Sequence, residues 1–175
     1  LSSMENLIIK NNPGITGTIP HTIGLMMTNL RQLGLNSNAL SSTVPKNIFR
    51  LEHLVYLNLS NNNLAGTVSW EDTSQYMKKM TRFILHNNYL EGNVHFHELA
   101  KIPTLSVLSL SNNLFDGNIE TVGLLSSLEY LYLDGNELVG SIPSGISKLN
   151  QLKSLNLDEN ALYGTLPHTI GNLTN

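Results

Sequence analysis

One pattern of about a dozen residues recurs along the chain and limits what it can become. "LGLNSNALSSTV" ends at Val44, "LNLSNNNLAGTV" at Val68, "FILHNNYLEGNV" at Val94, "LSLSNNLFDGNI" at Ile119, "LYLDGNELVGSI" at Ile142 and "LNLDENALYGTL" at Leu166. "LIIKNNPGITGTI", ending at Ile19, is a seventh copy with one additional residue. Aligned on the recurring amide, the series is Asn12, Asn38, Asn62, Asn88, Asn113, Asn136 and Asn160, with steps of 26, 24, 26, 25, 23 and 24 residues. A unit this short cannot bury its own apolar face. The copies must therefore stack, coil against coil, in an elongated array.

Within one coil, "LSSLEYLYLDGNELVGSIP" from Leu125 to Pro143, Leu131 and Leu133 alternate with Tyr130, Tyr132 and Asp134. That period of two turns the leucines inward and the others to solvent on a short strand. Leu125, Leu128, Leu138 and Ile142 complete the inner ring. Parallel stacking at about 4.8 Å per coil gives seven coils a face of roughly 30 Å. After the strand the backbone turns inward and strands main-chain amides and carbonyls, which a side chain carrying both donors and acceptors can satisfy. The seven asparagines are thus expected to form a structural ladder. The period, with L-x-x-L-x-L-x-x-N-x-L inside it, is the signature of a leucine-rich repeat.

Composition agrees with a packed array: 41% of residues are hydrophobic, 13% are charged, and the 23 asparagines reflect the repeat. A net charge of −3 without clustered Lys and Arg argues against nucleic acid. No apolar run approaches the roughly 20 residues of a membrane span, so no membrane contact is expected within this segment. With no cysteine, neither a disulfide framework nor a thiolate metal site can form here. Leu1 reads as the first leucine of a coil and "IGNLTN" as the opening of another. The expectation is a single solenoid over residues 1–175, a fragment lacking both caps.

After each amide comes L-x-G-x-I-P: "ITGTIP" at Ile15 to Pro20, "LVGSIP" at Leu138 to Pro143, "LYGTLP" at Leu162 to Pro167, and the variant "LSSTVP" at Leu40 to Pro45. This resembles the plant-type leucine-rich repeat of receptor-kinase and receptor-like-protein ectodomains and of polygalacturonase-inhibitor-like proteins. The resemblance implies an α/β solenoid: a right-handed superhelix with a concave parallel sheet, short second strands at G-x-I, and loops or short 3₁₀ turns outside. Ser69, His95 and Glu120 replace the proline in three middle coils, and the linker from Val68 to Met77 runs two residues longer than its counterpart from Ile142 to Leu149.

The concave strand positions form the rigid face that solenoids use for partners. One column runs Asn6, Gln32, Tyr56, Arg82, Val107, Tyr130 and Ser154; the next Ile8, Gly34, Asn58, Ile84, Ser109, Tyr132 and Asn156; the third Lys10, Asn36, Ser60, His86, Ser111, Asp134 and Asp158. Tyr130, Tyr132, Asp134, Asp158 and Glu159 make an aromatic and acidic patch toward the C-terminal end, whereas Lys10, Arg31 and Arg82 make the other end basic. The expected contact set is Tyr56, Arg82, Ile84, His86, Tyr130, Tyr132, Asp134 and Asp158. It suits a peptide or protein of complementary charge, anchored on the tyrosines. The paired arginines by which peptide receptors of the resembled family hold a ligand carboxylate have no counterpart, because Arg82 has no companion.

Other motifs carry less. "HFHE" from His95 to Glu98 offers two imidazoles and a carboxylate, yet a lone His-x-His is common, and no metal or other cofactor is expected. Neither a G-x-S-x-G turn nor a phosphate-binding glycine loop is present, so no catalytic residue is assigned. Thr18, Thr43, Thr67, Asn93, Asn118, Ser141 and Thr165 form a row of hydroxyls and amides on a second face, of the kind that some plant-type repeat proteins use to bind ice. "NLS" at Asn58 and "NLT" at Asn172 match the N-glycosylation acceptor, the second being the freer of the two. The leading expectation is a non-catalytic recognition module of an extracellular or cell-surface protein. The alternatives are an inhibitor of a cell-wall-degrading enzyme and a scaffold subunit of a larger assembly.

Overall fold

The computed structural model describes residues 3–173, so Leu1 and Ser2 at one end and Thr174 and Asn175 at the other lie outside it. The seven strands read from the repeat, Asn6–Ile8, Gln32–Gly34, Tyr56–Asn58, Arg82–Ile84, Val107–Ser109, Tyr130–Tyr132 and Ser154–Asn156, form one parallel sheet in chain order. Their register matches the columns of the sequence: Tyr56 pairs with Gln32 and Arg82, and Tyr130 with Val107 and Ser154. The inward leucines follow from that register. Leu33, Leu57, Phe83, Leu108 and Leu131 are all buried in a single continuous core.

A second parallel sheet runs along the side through Asn12–Thr18, Asn38–Ser42, Asn63–Thr67, Tyr89–Asn93 and Leu114–Asp116, with a separate pair at Val139–Gly140 and Ala161–Leu162. These strands begin earlier than G-x-I, at or just after the recurring asparagine. The chain leaves that turn already extended, and Leu64 shows why: its amide is held by the Asn88 side chain at 3.0 Å. The outer segments also differ in part from expectation. Lys46–Arg50, Val122–Leu124, Ser144–Lys148 and His168–Asn172 are 3₁₀ turns, but Thr22–Met26, Trp70–Tyr76 and Phe96–Leu99 are short α-helices. Loss of the proline does not by itself set the form: α-helix follows Ser69 and His95 but also Pro20, and Glu120 leads into a 3₁₀ turn; the longer Val68–Met77 linker drops Trp70 into the core. Trp70 meets Phe83 edge-on at 6.2 Å and Phe115 at 5.9 Å, and Phe49 meets Phe83 at 6.4 Å, an aromatic plug through the middle coils.

The asparagines bond to main chain and not to one another, so the array is not a continuous amide-to-amide ladder. In Asn62, Nδ2 donates to the carbonyls of Leu59 in its own coil and Leu35 in the preceding one, both at 3.0 Å, while Oδ1 accepts from the Leu40 amide at 3.1 Å. Asn88, Asn113, Asn136 and Asn160 repeat this geometry, and Asn38 does the same around Leu35, Ile9 and the Asn12 amide. Asn12 is exposed, and among the described residues its Nδ2 bonds only to the Lys10 carbonyl. Among the described residues no buried side-chain nitrogen or oxygen lacks a partner.

Candidate functional site: the concave face

The parallel register sets Arg82, Ile84 and His86 on one side of the strand Val107–Ser109, and Tyr130, Tyr132 and Asp134 on the other. The strand between them is low: Val107, Ser109 and Ser111 are buried although they belong to the solvent-facing columns. The neighbours close over it. The His86 ring nitrogen Nδ1 lies 2.9 Å from Ser109 Oγ, and Ser111 Oγ donates to Asp134 Oδ1 at 2.6 Å. The Tyr130 and Tyr132 rings sit side by side, 6.4 Å between centroids and tilted by 33°. Six of the expected contact residues thus surround one strand; Tyr56 lies one coil before Arg82 and Asp158 one coil beyond Asp134.

Electrostatics tie the patch together. Burial beneath its neighbours holds the His86 imidazole below the ordinary histidine value, and the Asp134 carboxylate opposes that shift less strongly. Arg82 is exposed and has no ion pair among the described residues. Arg31 does have one, with Glu5 at 3.4 Å, so the basic end of the face rests on Lys10 and Arg82. At the other end Glu129 is joined to Lys153 at 2.7 Å, leaving Asp134, Asp158 and Glu159 as its carboxylates.

Sequence reasoning passed over four residues that set the shape of the face. Asn58 Nδ2 donates to the Tyr56 hydroxyl at 3.0 Å, and Asn58 Oδ1 accepts from the Ser60 amide and hydroxyl at 3.0 and 2.7 Å. Ser109 and Ser111 fix His86 and Asp134 as described. Their signal was available in the columns, where a small hydroxyl beside a long polar side chain one coil away invites a bond. Gly34 matters by absence of a side chain, since a Cβ there would come within 2.9 Å of Ile8 Cδ1.

The remaining motifs fall elsewhere. His95 and His97 do point the same way, with rings stacked at 5.7 Å on the outer side, but each faces its own carboxylate, Glu71 at 3.1 Å and Glu98 at 3.3 Å. Among the described residues no group of three or more His, Asp or Glu side chains could hold a metal ion. The row from Thr18 to Thr165 is exposed, and Asn118 turns out of it to accept from the Glu120 amide at 3.1 Å. Among the described residues no helix is long and apolar enough to cross a membrane. Asn172 is exposed, whereas the Asn58 side chain is occupied at both ends.

Stacked coils, two parallel sheets and amides closing each turn define a leucine-rich-repeat solenoid. The family model described as Leucine Rich Repeat matches residues 53–73, 127–149 and 151–173. The chain is a leucine-rich-repeat protein of the plant type, similar to the ectodomains of receptor-like proteins and receptor kinases. It is 32% identical over 129 residues to Receptor-like protein 43 of Arabidopsis thaliana, covering 74% of this chain and 17% of that protein. Among solved structures, a plant peptide hormone receptor, RGFR1 in complex with RGF2, superposes with a TM-score of 0.88 at 30% identity, over 95% of this chain and 26% of that one. The ectodomain of the Arabidopsis receptor kinase HAESA, in complex with an extended IDA peptide hormone, gives 0.89 at 29% identity, over 97% and 28%. The chain spans less than a fifth of the length of the curated relatives it matches.

Proposed function

We propose that this chain is a non-catalytic recognition module of an extracellular or cell-surface protein, and that it binds a peptide or protein ligand on the concave face. The observation that carries this reading is the arrangement around Val107–Ser109: a free cation at Arg82, a paired aromatic platform at Tyr130 and Tyr132, and an acceptor at Asp134 held in place by Ser111. Rigid aromatics and an unpaired arginine are the side chains that dominate binding energy at interfaces, and a sheet that is already ordered loses little entropy on association. Similarity to ectodomains whose structures contain peptide hormones supports a peptide as the ligand class. A glycan, if the module is secreted, belongs at exposed Asn172 and not at Asn58, where it would displace the Tyr56 and Ser60 bonds.

The test uses peptides selected from a random library on the immobilised chain. Tyr132→Ala and Asp134→Ala each weaken the selected peptides at least tenfold, while Tyr163→Ala, on the exposed lateral side, leaves them unchanged. Equal affinity in all three variants overturns the proposal.

A further inference from the structure

Arg82 and Asp134 stand at opposite corners of the concave patch. In register, Arg82 lies beside Val107 and Val107 beside Tyr130, and Asp134 follows Tyr130 along the chain. The two charges are therefore two coils and four strand positions apart. At about 4.8 Å per coil and 3.3 Å per residue, the diagonal between their Cα atoms is roughly 16 Å. Ser109 is its midpoint, flanked in register by Ile84 and Tyr132. Ser109 is buried, whereas Ile84, Tyr130 and Tyr132 stand half-buried on either side, and His86 folds down onto it, Nδ1 to Oγ at 2.9 Å. A low path thus runs from one charge to the other, banked by the two tyrosine rings on one side and by Ile84 and His86 on the other.

Being unpaired does not single out either group, since among the described residues Lys148 has no ion pair either. Their placement does, at the two ends of one low path. A separation of roughly 16 Å is about twice the Debye length at physiological salt, so neither charge neutralises the other. Asp134 is also oriented, because Ser111 Oγ holds its Oδ1 at 2.6 Å. We infer that the concave face selects an extended peptide segment carrying one acidic and one basic side chain with three or four residues between them. The acidic side chain lies on Arg82, the basic one on Asp134, and the residues between cross over Ser109. An extended chain advances about 3.3 Å per residue, so about five steps span the diagonal and about four suffice with side-chain reach. A segment with two like charges meets one attraction and one repulsion at the same two places, which makes the pair a determinant of specificity more than of raw affinity. Such selection presupposes that the concave face is the peptide site and goes further by fixing which peptides it takes.

Pools of short blocked peptides, random except at two fixed positions, test this on the immobilised chain. One pool fixes glutamate and lysine, in both orders, with three or four residues between them. The others fix two lysines, two glutamates, or glutamate and lysine side by side. The first pool should be retained about tenfold better than the rest, and that advantage should shrink as salt rises. Arg82→Glu should transfer the preference to the two-lysine pool and Asp134→Lys to the two-glutamate pool, gains that a chain failing to fold cannot show. Tyr132→Ala should weaken every pool about tenfold. Equal retention of all pools, with loss in Tyr132→Ala, overturns the charge pattern and leaves the concave site standing. A preference for the opposite-charge pool that survives both Arg82→Glu and Asp134→Lys overturns the assignment to these two residues. Retention of no pool, or retention untouched by Tyr132→Ala, removes the concave site and this ligand with it.

Discussion

Asn113 is bonded to Leu85, a residue 28 positions earlier, by a 3.1 Å hydrogen bond from its amide nitrogen to the leucine carbonyl. The same nitrogen reaches the Leu110 carbonyl at 3.0 Å, and the amide oxygen takes the Leu90 N–H at 3.0 Å. One side chain thereby closes its own turn and clamps the coil before it. Leucine at this position would leave those buried main-chain groups unpaired, and an unsatisfied buried group costs roughly 1–3 kcal/mol. Asn113→Leu should lower stability by about 3 kcal/mol or more, whereas Asn12→Leu, at an exposed site, should change it by less than about 0.5 kcal/mol. Urea melts of both variants check this, and equal losses would contradict the clamp.

The residue just before each clamp has left-handed backbone: φ is 60° at Asn11, 58° at Ser37, 54° at Asn61, 56° at Asn87, 52° at Asn112, 63° at Gly135 and 52° at Glu159. Asparagine and glycine tolerate that region best, which explains the Asn-Asn doublets. Asn112 isolates the effect, since it is exposed and its backbone is held by main-chain bonds, its N–H donating to the Asp134 carbonyl and its carbonyl accepting from the Asn88 N–H. Asn112→Val should destabilise by roughly 1–2 kcal/mol and Asn112→Gly by no more than a few tenths. Thermal melts of the two side by side would expose a different cause if valine were tolerated.

The His86 imidazole, held down by burial and partly restored by Asp134, should titrate below ordinary histidine in an NMR pH series. Replacing Asp134 with Asn removes the opposing influence, so the midpoint should fall further. The neutral ring contributes stability that is complete above the ordinary histidine pKa and is lost as pH falls through the depressed one. A midpoint that rises in Asp134→Asn would show that Asp134 does not act on His86 through its charge.

How much of this was legible in the sequence depends on which residues must meet. The columns of the concave face followed from the period alone, because parallel strands one repeat apart pair position for position, as Tyr130 does with Val107. The outer segments obey no such rule. Trp70 looked like part of a long linker, yet it starts a helix and packs on Phe83 and Phe115, since seven residues in helical form shorten the path and turn the first side chain inward. Bonds between unlike residues in adjacent coils, such as His95 to Glu71 or Ser74 to Glu98, were not readable, because no repeated side chain marks them. On the concave face Tyr132 and Asp134 could be placed by column, but the support that Ser111 gives Asp134 required knowing which way the hydroxyl turns.

Asp72 gives the outer face a pH-dependent stake in stability. Its carboxylate is buried, and that burial, the largest single influence, pushes its pKa up. Hydrogen bonds from Ser69 at 2.8 Å, Lys46 at 3.3 Å and Arg50 at 3.1 Å together overcome it, and the group ends below the ordinary carboxylate range. A depressed carboxylate contributes stability that is fully present above its unfolded pKa and is lost as pH falls through the folded one. Asp72→Ala should therefore cost roughly 1–2 kcal/mol near pH 7, a modest figure because Lys46 and Arg50 are exposed and screened. The gap between variant and parent should narrow from about pH 5 downward, and raising salt at pH 7 should narrow it too. Urea melts at several pH values read this directly. A gap that stays constant down to acid conditions would mean that Asp72 acts through packing and not through its charge.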